Sequence, residues 1–204
     1  MPAVLFDVVT TDVISRGAAE EILTPHRDVI ASCLYNAWDH WTDHTALTVP
    51  VGPRTRASIV YDYAVAEAWK LLDGRTGISL SEQRRFLLVS VDDQLLLRFK
   101  KFRKGLATSG IRTGQQRLFA YQQLTLEGMP AMTHIVAGYL LDEFQRDIAR
   151  AAITCSVGSR RVWTIDLARP AAGTIVEIGP PFEPAPTTIV RSALAEAQSS
   201  ESGT

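Results

Sequence analysis

The sequence predicts an α+β domain in which N-terminal helices cover one face of an antiparallel sheet of about five strands, with a further helix crossing between a hairpin and a meander. Three observations carry this. Two stretches before residue 73 repeat apolar residues at three- and four-residue spacing. The stretch RRFLLVSVDDQLLLRFKKF sets two strand-like runs on either side of a short acidic turn. Three more apolar runs follow residue 132, separated by Asp142-Glu143 and Gly158-Ser159.

Taken in order, Val4-Leu5-Phe6 reads as an edge strand or an arm packed on the core. The pattern turns helical from Ala18. Thr24-Pro25 reads as an N-cap and first-turn proline, and Val29, Ile30, Cys33, Leu34, Ala37, Trp38 and Trp41 then make one broad apolar face. TDHTALTVPVGP is a loop. Arg54 to Leu72 is a second helix with Ile59, Val60, Tyr63, Ala66, Ala68, Trp69 and Leu72 as its stripe, a charged face that includes Glu67, and Gly74 where a C-cap glycine belongs.

A short turn then leads through Ser81-Glu82-Gln83 to the hairpin, Phe86 to Val91 and Gln94 to Phe102, joined at Asp92-Asp93. Period-two alternation puts Leu95, Leu97 and Phe99 on one face of the second strand and Leu96, Arg98, Lys100 and Phe102 on the other. The strand therefore passes from apolar to half basic along its length. Arg103 to Thr113 reads as a flexible basic loop, and Thr113 as the N-cap of a helix from Gly114 to Leu124. After a break at Glu127-Gly128-Met129-Pro130, the meander occupies Thr133 to Leu141, Ile148 to Val157 and Arg161 to Leu167. Residues 1–167 thus read as a single domain, and 168–204 as a proline- and glycine-rich extension with a disordered tail.

Composition bounds the function. The 204 residues, 46% hydrophobic and 21% charged, suit one soluble domain with a substantial core. A formal net charge of -1 excludes a chain that coats nucleic acid along its whole surface, so any phosphate affinity must come from a local patch. Two cysteines, Cys33 and Cys155, lie far apart in apolar settings; a disulfide between them is the alternative to the favoured reading, two buried thiols of a reducing compartment. MPAVLFDVVTTDV has an early acid and no basic n-region, and no apolar run reaches the roughly 18 residues of a membrane span. A cytoplasmic protein, without membrane contact, is the expectation.

Arg98-Phe99-Lys100-Lys101, Thr113-Gly114-Gln115 with Phe119 and Gln122, Leu126-Glu127-Gly128-Met129-Pro130 and Ala137-Gly138-Tyr139-Leu140-Leu141-Asp142 together give a resemblance. Across roughly Arg54 to Leu167 the chain resembles a widespread uncharacterised family of actinobacterial, proteobacterial and phage proteins. Members are often encoded beside Xre-type helix-turn-helix regulators, some fused to a zinc-peptidase-like domain. The resemblance implies a context of mobile elements, regulation or toxin-antitoxin pairing, and brings no mechanism with it.

The chemistry concentrates between Arg98 and Arg117. Arg98, Lys100, Lys101, Arg103, Lys104, Arg112 and Arg117 can neutralise phosphates as point charges or guanidinium forks, Gln115 adds an amide, and Phe99, Phe102 and Phe119 can stack on bases or fill the core. The bland reading is a solvated face balanced by Glu82, Asp92, Asp93 and Glu127. The alternative is a metal-dependent nuclease with a degenerate restriction-like site built from Glu67, Asp92 or Asp93, and Lys100. In such a site two carboxylates hold the ion beside the lysine. Here Arg98 stands where the second metal carboxylate belongs, and its charge would repel the ion.

His40 and His44 have the i, i+4 spacing of zinc ligands but no glutamate after the first histidine, and read as a polar helix end. His134 has no evident partner, and no nucleophile signature occurs. The expectation is a non-enzymatic regulatory or toxin-like protein without cofactor or metal. It would bind a protein partner such as an Xre-type regulator, or nucleic acid, through the basic strand-loop-helix surface, and could form a homodimer through an exposed sheet edge.

Overall fold

The computed structural model describes residues 13–44, 51–83, 86–108, 113–124 and 131–171. The chain runs α1 (Arg16–Leu23), α2 (Arg27–His44), α3 (Pro53–Leu72), β1 (Ile78–Gln83), β2 (Phe86–Val91), β3 (Leu95–Arg103), a 3-10 turn (Lys104–Leu106), β4 (Ala107–Thr108), α4 (Gly114–Ala120), β5 (Thr133–Leu141), β6 (Ile148–Val157) and β7 (Arg160–Leu167). The α+β class is as predicted. The sheet is larger and mixed: seven strands in the order β1-β2-β3-β5-β6-β7, with β4 paired to β3. β3 and β5 run parallel, from Leu95 opposite Thr133 to Lys101 opposite Tyr139. Every other pairing is antiparallel. The readings of Val4-Leu5-Phe6, of the Glu127 to Pro130 break and of the C-terminal tail lie outside the described residues.

Alternation divides the sheet into two unlike faces. Leu87, Val89, Leu95, Leu97, Phe99, Ile135, Ala137, Ile153 and Ile165 point to one side, where they form the main core with Ile30, Leu34, Trp38, Val60, Ala64, Ala68 and Leu72 of α2 and α3. The helix layer covers this face, as the amphipathic spacing requires. Among the described residues the second face carries two small clusters. Leu88, Leu96 and Met132 pack with Phe119 of α4, and Phe102 and Ala152 pack with Leu106 of the 3-10 turn, with Val136 touching both.

Several local readings are corrected. Thr24 closes α1, its hydroxyl donating to the Glu20 carbonyl at 2.7 Å, so it ends one helix instead of opening the next. The buried side of α3 is turned from the predicted stripe, leaving Trp69 exposed and Glu67 buried. Glu67 tolerates that position because the Asn36 amide of α2 donates to it at 2.7 Å and Lys70 and His40 stand at 3.4 Å. Burial opposes its charge, but Asn36 and Lys70 hold its pKa below the usual carboxylate value. Asp92 and Asp93 take positive φ (48° and 53°) and Gln94 N–H donates to the Val91 carbonyl at 3.0 Å, the geometry of a type I′ turn. Thr113 caps α4 as expected, accepting from Gln116 N–H at 3.2 Å, but the helix ends at Ala120, four residues before Leu124.

Candidate nucleic-acid groove

Between the two small clusters the second face of the sheet stays open. Its floor is β3, β5 and β6, one wall is α4 with Tyr121, and the other is the 3-10 turn with β4; the cavity measures about 740 Å³. Arg98, Lys100, Arg117 and Arg161 all line it, together with Gln116, His134, Val136, Thr154 and Ser156. No aspartate or glutamate stands among the described lining residues. Each part follows from local sequence: the strand period turns Arg98 and Lys100 away from the helix layer, and the parallel return from β3 to β5 lays α4 across that same face.

Arg98 is the least expected member. Only 4% of it is exposed, and its guanidinium carbon lies 4.3 Å from the Phe86 ring centroid and 5.0 Å from that of Phe119. Among the described residues it has no ion pair and no hydrogen-bond acceptor. Burial lowers its pKa from the usual guanidinium value. Lys100 shares the environment: its ammonium stands 5.8 Å from the Phe86 centroid, and burial, then the neighbouring Arg98 charge, lower its pKa.

Arg161, expected only as the first residue of a plain strand, reaches the groove through a bulge. Cys155 pairs with Trp163 and the next residue, Ser156, with Arg161, leaving Val162 without a partner. The extra residue reverses the alternation, so that Trp163 joins the main core while Arg161 faces the groove. Its two terminal nitrogens donate to the Gly105 and Leu106 carbonyls at 2.7 Å each, pinning the 3-10 turn over the sheet, and among the described residues no acid pairs with its charge. Sequence alone offers only one sign of this, the break in alternation at Arg161-Val162-Trp163.

The opposite end of α4 is fixed by Gln122, whose φ is 60°. Its amide donates to the His134 and Ser156 carbonyls at 2.9 Å each and accepts from His134 N–H at 2.6 Å, filling the gap between β5 and β6 beyond their last ladder pair, Ile135 with Cys155. Gln122 is therefore a structural bridge. His134 stacks on Phe119 with centroids 4.7 Å apart and places its two ring nitrogens 3.0 Å and 2.9 Å from the Phe119 and Leu124 carbonyls.

The structure thus brings together Arg98, Lys100 and Arg117 of the predicted set. Lys101 and Arg103 leave the cluster by alternation; Lys101 faces the helix side, where Arg56 adds to burial in lowering its pKa. Lys104 is exposed on the 3-10 turn. Arg112 and the side chain of Gln115 lie outside the described residues. The residues of the nuclease alternative are not assembled: Glu67 is bonded within the helix layer, Asp92 and Asp93 form the hairpin tip, and Lys100 faces the groove on the far side of the sheet. His40 turns to Glu67, and among the described residues no group of three metal-capable side chains forms. Cys33 and Cys155 are free and buried, and burial pushes the Cys155 thiol up to about 12. Among the described residues no helix is long and apolar enough to cross a membrane. Set against protein-family models, curated proteins and solved structures, the chain matches none.

Proposed function

We propose that the protein binds nucleic acid in the groove between α4 and the 3-10 turn, as a binding module without turnover. One observation carries the reading: Arg98, Lys100, Arg117 and Arg161 converge on a single concavity whose described lining holds no acid. Structural cations on a sheet face normally meet carboxylates, as Arg150 meets Asp166 on the neighbouring surface at 2.6 Å. A concave surface whose described lining carries positive charge and no acid favours a polyanion, and the exposed Tyr121 ring at its edge gives a base a surface on which to stack. The regulatory, mobile-element context implied by the family resemblance suits a protein of this kind.

The test is fluorescence anisotropy with labelled single- and double-stranded DNA and RNA across a salt series. Binding should weaken with salt, with a log-log slope of about -0.7 per phosphate contacted on a single strand. Lys100→Ala and Arg117→Ala should each cost on the order of 1 kcal/mol of affinity. Absence of binding to every oligonucleotide at low salt would remove the proposal.

A further inference from the structure

The floor of the groove is more specific than a cationic surface. An aromatic ring attracts the Arg98 guanidinium through its π face but accepts none of its in-plane N–H bonds, so Phe86 and Phe119 hold the group in position and leave its donors unused. At 4% exposure the solvent that reaches this guanidinium does so from the groove, so a ligand there can take over donors that no described acceptor holds. The geometry that completes such a fork is a bidentate oxyanion.

Lys100 lies two residues along the same strand on the same face, so the floor presents two neighbouring positive charges and no acid among its described residues. An internal phosphodiester brings one negative charge. A terminal phosphomonoester brings about -1.5 to -2 near neutral pH and three acceptor oxygens, which matches both the charge and the donors. At the rim, Tyr121 is 51% exposed with its ring against Gly158, where even a Cβ would stand 3.0 Å from the ring edge. Glycine there lets the strand turn back the ring and fix its orientation, which leaves a surface for one base. A cavity of about 740 Å³ has the size of a small-ligand site, enough for the end of a strand.

We infer that the groove receives the terminal phosphate of a nucleic-acid strand, with the monoester on Arg98 and Lys100 and the end base on Tyr121. This rests on the nucleic-acid reading above and narrows it to strand ends.

The experiment uses the full chain and one short oligonucleotide in three forms, 5′-phosphorylated, 3′-phosphorylated and with both ends hydroxyl, with inorganic phosphate and a nucleoside monophosphate as competitors. One phosphorylated form should bind about ten-fold tighter than the hydroxyl form, or more. Lys100→Gln and Arg98→Lys should erase that preference, bringing the phosphorylated and hydroxyl forms to the same, weaker affinity. Arg98 is packed between rings, so its variant is read only where its melting curve matches the parent; Lys100→Gln, at a half-buried position, tests the same claim independently. Tyr121→Ala should weaken the phosphorylated oligonucleotide but leave competition by inorganic phosphate unchanged. Equal affinity for all three forms overturns end recognition and leaves nucleic-acid binding standing. Saturable binding of phosphate or mononucleotide with no oligonucleotide binding overturns both readings and makes the groove a small-anion site.

Discussion

His134 shows how far a single side chain can be committed by its neighbours. Both ring nitrogens face carbonyl oxygens, which only accept, so a neutral ring satisfies one of them and only the imidazolium satisfies both. Burial nevertheless dominates and lowers its pKa, with Arg98 acting in the same direction, and His26 is lowered by burial too. In both cases the unfolded chain takes up the proton first. The share of stability linked to these two rings is therefore complete above about pH 6.5 and falls as the pH drops from there towards the depressed folded values. Urea midpoints at pH 7.5 and 5.5 check this, and His134→Gln should flatten part of the difference. Gly138 is as constrained: a Cβ would run into the Lys100 carbonyl and stand 2.8 Å from the Phe102 ring, so Gly138→Ala should cost about 1–3 kcal/mol in chemical denaturation. At this scale the alternation of β3 made Arg98 and Lys100 legible as one face, and the same rule separates Lys101 and Arg103. The role of Gln122 was not legible, because it depends on a left-handed backbone and on a gap between two strands that meet only in the folded sheet.

Element boundaries were readable in the β2–β3 hairpin and in the meander. The hairpin and the three meander strands occupy the predicted spans to within one residue, since tight turns force the pairing and strong alternation marks the faces. β1 was missed because Ile78–Gln83 carries only two large apolar residues and lies at the edge of the sheet. The parallel register of β3 with β5 was missed because no local signal specifies a pairing across a long connection. The bulge in β7 is the element on which the groove's second wall depends. Arg161→Ala should release the 3-10 turn by removing two hydrogen bonds, at a cost of about 1–2 kcal/mol. Faster amide exchange at Leu106 to Thr108, with the helix layer unchanged, is the expected signature; unaltered exchange there would show that packing of Leu106 alone holds the wall.

Across the whole molecule, the main core and the proposed binding surface occupy opposite sides of one sheet. The main core lies between the sheet and α1–α3, while the groove lies on the far face with only small apolar clusters at its ends. The two should respond independently to substitution. Leu97→Ala, in the main core, should cost about 2–5 kcal/mol of stability. Arg117→Ala, exposed on α4, should change stability by no more than about 0.5 kcal/mol while weakening oligonucleotide binding. Paired denaturation and anisotropy measurements on both variants read the separation directly. Composition could not reveal it, because a net charge of -1 averages over the whole chain, whereas four of its 21 cations share one hollow.

The parallel pairing of β3 and β5 has one more consequence. Two adjacent parallel strands cannot be joined by a tight turn, so the backbone must travel the length of the sheet again before β5 begins. That obligatory return supplies the 3-10 turn, β4 and α4, which contribute to both walls of the groove, while contributing little to the main core. Related chains could exchange this one continuous segment and acquire a new ligand without redesigning the domain.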